Sequence, residues 1–132
     1  MNIFSTSFDY PSRLSKVRGL MKERGIDAVL VHLWVNQYYI TGAHQHVPWY
    51  PVEVIKHTEA PLIIFADEKK EPIFCSTFLC GVGIKEGSVY EDVRFLDRQP
   101  YGKKEWFEYV ADFLNERGVD MGVIGYEGGG VG

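Results

Sequence analysis

Residues 21–31 read MKERGIDAVLV, and residues 114–124 read LNERGVDMGVI. Both carry Glu-Arg-Gly, then a β-branched residue, then Asp, with an apolar stripe at helical spacing before them and a short apolar run after. Glycine just past a helix accepts the left-handed backbone that ends it, and a β-branched residue favours the extended chain that follows. Each stretch therefore reads as a helix–strand corner. Two accounts of the likeness stand side by side. Any such corner favours these residue types, or the two are pseudo-symmetric α/β units of one sheet.

Upstream of the first corner, Pro11 suits a first helical turn, where its missing N–H costs nothing, and Asp9 or Ser12 can cap that turn. Leu14, Val17, Leu20 and Met21 follow, with Arg13, Lys16, Arg18 and Lys22 between them, which predicts a one-faced helix ending at Gly25. The run from Asp27 to His32 is too short for a helix and predicts a buried strand. Upstream of the second corner, Trp106, Phe107, Val110, Phe113 and Leu114 predict a helix over 103–117. Gly118 stops it, and a strand from Met121 to Tyr126 follows. Between the corners, Pro61–Ala66 and Pro72–Thr77 flank a charged turn at 67–71 and predict a hairpin. Residues 79–91 read as a loop, and Val93–Leu96 as a short strand. The sum is an α/β fold: a mixed sheet of about five to six strands with helices packed on it.

At 132 residues, 45% of them hydrophobic, the chain fits one domain over 1–127. Residues 128–132 (GGGVG) have almost no side chains to pack and read as the start of a linker to further polypeptide. The formal charge of −4, with basic residues scattered, argues against nucleic acid as a partner. The start, MNIFSTSFDY, lacks the basic region and apolar core of a secretory signal, and no run approaches a membrane span, so a cytoplasmic protein without a membrane partner is expected. Cys75 and Cys80 lack the two-residue spacing of a zinc or dithiol motif and read as partly buried thiols.

Candidate chemistry concentrates in YYITGAHQHVPWY (38–50). His44 and His46 at i, i+2 would point the same way on an extended segment, as metal ligands do, but a third ligand is not placed by the sequence. Glu53 and His57 are near, beyond two prolines whose bends leave their geometry open. Trp49 and Tyr50, between those prolines, are large amphipathic rings of the kind that anchor interfaces. No serine stands in a nucleophile elbow, GVGIKEG (81–87) lacks the ending of a P-loop, and Asp27 and Asp120 stand at strand starts, where a carboxylate accepts from backbone N–H. No catalytic residue and no metal ligand is assigned.

The helix with Arg13, Leu14 and Met21, then RGIDAVLV (24–31), then Asn36-Gln-Tyr-Tyr39-Ile-Thr41-Gly42, then RGVDMGVIGYE (117–127) occur in the order found in the N-terminal domain of creatinases, prolidases and aminopeptidase P enzymes. The chain resembles that family over most of its length. Gln37 departs from the family's usual aliphatic residue, and Ala43 from its usual aromatic. The Asn36–Gly42 element also reads physically: Asn36 can cap a short turn, Tyr38 or Tyr39 and Ile40 can pack beneath it, and Gly42 permits a sharp exit.

The resemblance implies a ribonuclease-H-like domain that is itself non-catalytic. It implies a partner C-terminal domain, absent from this chain, in which a divalent metal pair (Mn, Co or Zn) held by Asp, Asp, His, Glu and Glu hydrolyses an Xaa-Pro amide. It implies a homo-oligomer in which the N-terminal domain contacts subunits and walls the active-site cleft. His44, His46, Trp49 and Tyr50 are the candidates for that wall, chosen by position and residue type. Two other readings are a free-standing module binding a small molecule or a protein, and a small metal enzyme built on His44 and His46.

Overall fold

The computed structural model describes residues 9–43, 57–76, 84–95, 106–119 and 121–127. Asp9 accepts a hydrogen bond from the Ser12 N–H at 3.1 Å and opens helix α1 (Tyr10–Glu23), with Pro11 in the first turn. Leu14, Arg18 and Met21 are its buried residues, and Leu20 turns to solvent. The expected stripe is thus corrected at one place. Positions 14, 18 and 21 share a helix face, and Arg18 fills it by donating to the carbonyl oxygens of Phe65 (2.9 Å) and Lys70 (2.6 Å). Burial pulls the Arg18 guanidinium below its ordinary pKa, while Tyr90, Glu68 and Asp67 act the other way.

The two sequence corners close alike. Gly25 (φ +67°) donates to Lys22 O at 3.2 Å and Ile26 to Met21 O at 2.9 Å. Gly118 (φ +75°) donates to Asn115 O at 3.0 Å and Val119 to Leu114 O at 3.0 Å. This paired arrangement satisfies the last carbonyls of a helix. Strand β1 (Ala28–Leu33) follows the first corner directly, and helix α2 (Trp34–Thr41) follows β1. Next come β2 (His57–Phe65), β3 (Ile73–Ser76), β4 (Val93–Phe95), helix α3 (Trp106–Glu116) and β5 (Ile124–Tyr126). Residues 84–87, read as loop, make a helical turn that buries Ile84.

The sheet runs β4-β3-β2-β1-β5 and is mixed: β1–β2 and β2–β3 are antiparallel, β1–β5 and β3–β4 parallel. The expected hairpin is β2–β3. Side chains alternate between faces, so Ala28, Leu30, Ile63 and Phe65 pack with Val110 and Leu114 of α3, whereas Val31, Leu62 and Ile64 pack with Leu14 and Met21 of α1 and Ile40 of α2. The two corner helices therefore lie on opposite faces of a three-layer domain. Three further boundaries moved. Phe107 is exposed, leaving Tyr109, Val110, Phe113 and Leu114 as the packed face of α3. Met121 is 93% exposed and Gly122 N–H returns to Val119 O, so an extra turn delays β5 to Ile124. β2 starts four residues before Pro61, because His57 pairs with Leu33 across an irregularity in the ladder.

Candidate functional site

Sheets with parallel strands build their sites beyond the strands' carboxyl ends. At that end of the parallel pair β1–β5 stands the start of α2. Leu33 occupies its N-cap without a side-chain hydrogen bond, and its own N–H needs an acceptor from outside the helix. Glu127, one residue past β5, supplies it: Oε1 accepts from the N–H of His32 at 2.8 Å and of Leu33 at 2.6 Å, and Oε2 accepts from Asn36 Nδ2. Asn36 is thus the third residue of a helix and not the cap of a turn, and its amide is held by a carboxylate 91 residues away. The buried His32 ring lies 5.0 Å from that of Tyr126, tilted by 53°.

The rest of the Asn36–Gly42 element serves the fold. Gln37 is buried and donates to the carbonyl oxygens of Val31 (2.9 Å) and Ala60 (3.3 Å). Thr41, also buried, donates its hydroxyl to Gln37 O at 2.8 Å and accepts from the Ala43 N–H at 3.1 Å. Gly42 takes φ +82° as its N–H returns to Tyr38 O at 2.8 Å. Ile40 is buried as expected, but neither Tyr38 nor Tyr39 packs beneath the turn; both are about half exposed, because a full helix rotates them outward. Tyr39 instead stacks under the Arg13 guanidinium, 4.1 Å from the ring centroid, and accepts from Arg13 Nη1 through its carbonyl at 2.6 Å.

His44, His46, Trp49 and Tyr50 lie outside the described residues, as do Glu53, Cys80, Asp120 and residues 128–132. Asp27 behaves as a corner carboxylate, accepting from the Val123 N–H at 2.7 Å. An open cavity of about 430 Å³ lies beside it, lined by Asp67, Lys70, Gly118, Met121 and Gly122 among others. It sits at the amino ends of β1 and β5, opposite the end where such sheets place chemistry. Asp67 there accepts from the Lys69 N–H within its own turn at 2.9 Å. Among the described residues no three His, Cys, Asp or Glu side chains converge as a ligand set. In the sequence Glu127 stands only as the end of the RGVDMGVIGYE motif; GYE at a strand end is its signal, and its partner is fixed by the topology. Among the described residues no helix is long and apolar enough to cross a membrane.

These features define an α/β domain of mixed sheet, whose Asp27, Gln37, Thr41 and Glu127 spend their polar contacts inside the fold. The model of the creatinase/prolidase N-terminal domain matches residues 13–131, and the chain belongs to that family. A solved Xaa-Pro aminopeptidase from Streptococcus pyogenes has the same fold: TM-score 0.60 and 23% identity, over 89% of this chain and 72% of that one. No curated protein sequence matches.

Proposed function

We propose that this chain is the non-catalytic N-terminal domain of a cytoplasmic Xaa-Pro peptidase, contributing subunit contacts and part of the active-site cleft wall. The observation that carries the reading is the family match over residues 13–131, in a domain whose described Asp27, Glu127, Gln37 and Thr41 are engaged in holding backbone, with Asn36 bonded to the Glu127 carboxylate. The solved relative's description as an Xaa-Pro aminopeptidase supports the substrate class. Hydrolysis is assigned to a divalent metal centre in a partner C-terminal domain, which would activate water and polarise the scissile carbonyl. The residues described here do not fit such a centre, and no step of the reaction is assigned to them.

The test is an assay of Xaa-Pro dipeptides and longer Xaa-Pro peptides with Mn²⁺, Co²⁺ or Zn²⁺ present. The purified 132-residue chain is expected to be inactive, and the same domain joined to the catalytic domain encoded with it active. Turnover by the isolated chain would overturn the division of labour. In the active protein, His46→Ala and Trp49→Ala are expected to raise KM for longer peptides more than for dipeptides, with metal content unchanged.

A further inference from the structure

We propose that Glu127 is a latch: its carboxylate holds the end of β5 on the start of α2, and the two open together when it lets go. β5 has three residues and, among the described residues, lies at the sheet edge and pairs only with β1, and Tyr126 is more than half exposed. Short edge elements with few buried contacts populate the low end of local stability. α2 has eight residues, with neither a side-chain cap of its own nor an acidic residue in its first turn. Each element therefore lacks at its end what the Glu127 carboxylate supplies.

Both oxygens of that carboxylate are used, one by two backbone N–H groups and the other by the Asn36 amide. Hydrogen bonds to an ionised acceptor are roughly twice as strong as neutral ones. The Glu127 N–H adds a bond to Leu30 O at 3.1 Å, so backbone and side chain of one residue grip β1 and α2 at once. Opening the latch frees the residue after β5 and releases the N-cap N–H and the Asn36 amide at the start of the helix that carries the Asn36–Gly42 element.

Hydrogen exchange of the 132-residue chain tests this. In the wild type, the amides of His32, Leu33 and Glu127 are expected to open as one unit, separately from the β2 amides at 62–65. Glu127→Ala should accelerate exchange at His32 and Leu33 by more than about tenfold, the loss of a charge-assisted hydrogen bond, with 62–65 unchanged. Added acetate should restore protection in Glu127→Ala better than chloride at equal ionic strength, because the three groups would donate to a free carboxylate. Wild-type exchange at His32 and Leu33 in Glu127→Ala, or rescue no better than chloride, would overturn the latch. If Glu127→Ala does not fold, Glu127→Asp, one methylene too short to reach both elements, should loosen the same amides by a smaller factor; exchange equal to wild type there would also overturn it.

Discussion

The carboxamide nitrogen of Gln37 lies 3.3 Å from the carbonyl oxygen of Ala60, just before Pro61 in the central strand. It lies 2.9 Å from the carbonyl of Val31 on the neighbouring strand as well. Pro61 offers no N–H to the ladder, and the β1–β2 register slips between Val31 and Leu33. The Gln37 side chain spans the irregularity, donating to both strands. An aliphatic residue would remove the buried side-chain donor that both carbonyls share.

Gln37→Leu is therefore expected to cost about 0.5–1.5 kcal/mol for each hydrogen bond it removes. Gln37→Glu should cost more, since it turns a carboxylate toward two carbonyl oxygens. Urea midpoints with unchanged slopes would measure both. A Gln37→Leu chain as stable as wild type would mean that the irregularity needs no bridge.

Arg94 joins β4 to α3, with Nη1 2.5 Å from Glu116 Oε2, Nη2 2.8 Å from Glu116 Oε1 and Nε 2.9 Å from Asp92 Oδ1. The hydrogen bond from Arg94 holds the Glu116 carboxyl below the usual carboxylate range. Because the folded pKa is depressed, the contribution to stability is complete above the ordinary value of about 4.5 and is lost as pH falls through the folded value. Thermal midpoints of wild type and Glu116→Gln should thus differ at neutral pH and converge in acid. Curves that stay parallel down to pH 2 would contradict the pairing.

Cys75 is fully buried on β3, and burial pushes its thiol well above the ordinary range. The thiolate is the form that reacts. At pH 8 iodoacetamide should leave Cys75 unmodified in the native chain and alkylate it in urea. Peptide mass spectrometry reads the site directly, and rapid native labelling at Cys75 would show that β3 opens.

Gly25 and Gly42 both hold positive φ, but a Cβ at Gly25 would meet nothing within 4 Å whereas one at Gly42 would meet the Tyr10 ring at 3.0 Å. Gly25→Ala is expected to cost about 1 kcal/mol for the backbone alone. Gly42→Ala should cost about 1–3 kcal/mol more, the range for overpacking against a ring that must move. Denaturation of the two variants side by side checks the order; equal costs would mean that Tyr10 yields freely.

Local signals carried most of the fold. Asp9 and Pro11 opening α1, the glycines closing both helices, and the charged turn between β2 and β3 each act within a few residues of chain, and a reader of the sequence meets cause and effect together. The family was legible for the same reason, as motifs in a fixed order. Leu20, Phe107 and Tyr39 were misplaced because an apolar side chain within a few residues of a stripe can belong to either side of its edge, and only the packed neighbour decides which.

What the chain determined by itself is thus the kind of each element, its ends and its buried periodicity, since these follow from backbone sterics and from side chains three or four positions apart. What only the tertiary structure decided is which polar groups meet. Asn36 with Glu127, Gln37 with Ala60, Arg18 with Phe65 and Lys70, and Arg94 with Glu116 span 22 to 91 residues. The buried ones, at Arg18 and Gln37, form because burial leaves those groups no water to turn to, and which partner lies within reach of any of them is set by how the strands are ordered in the sheet.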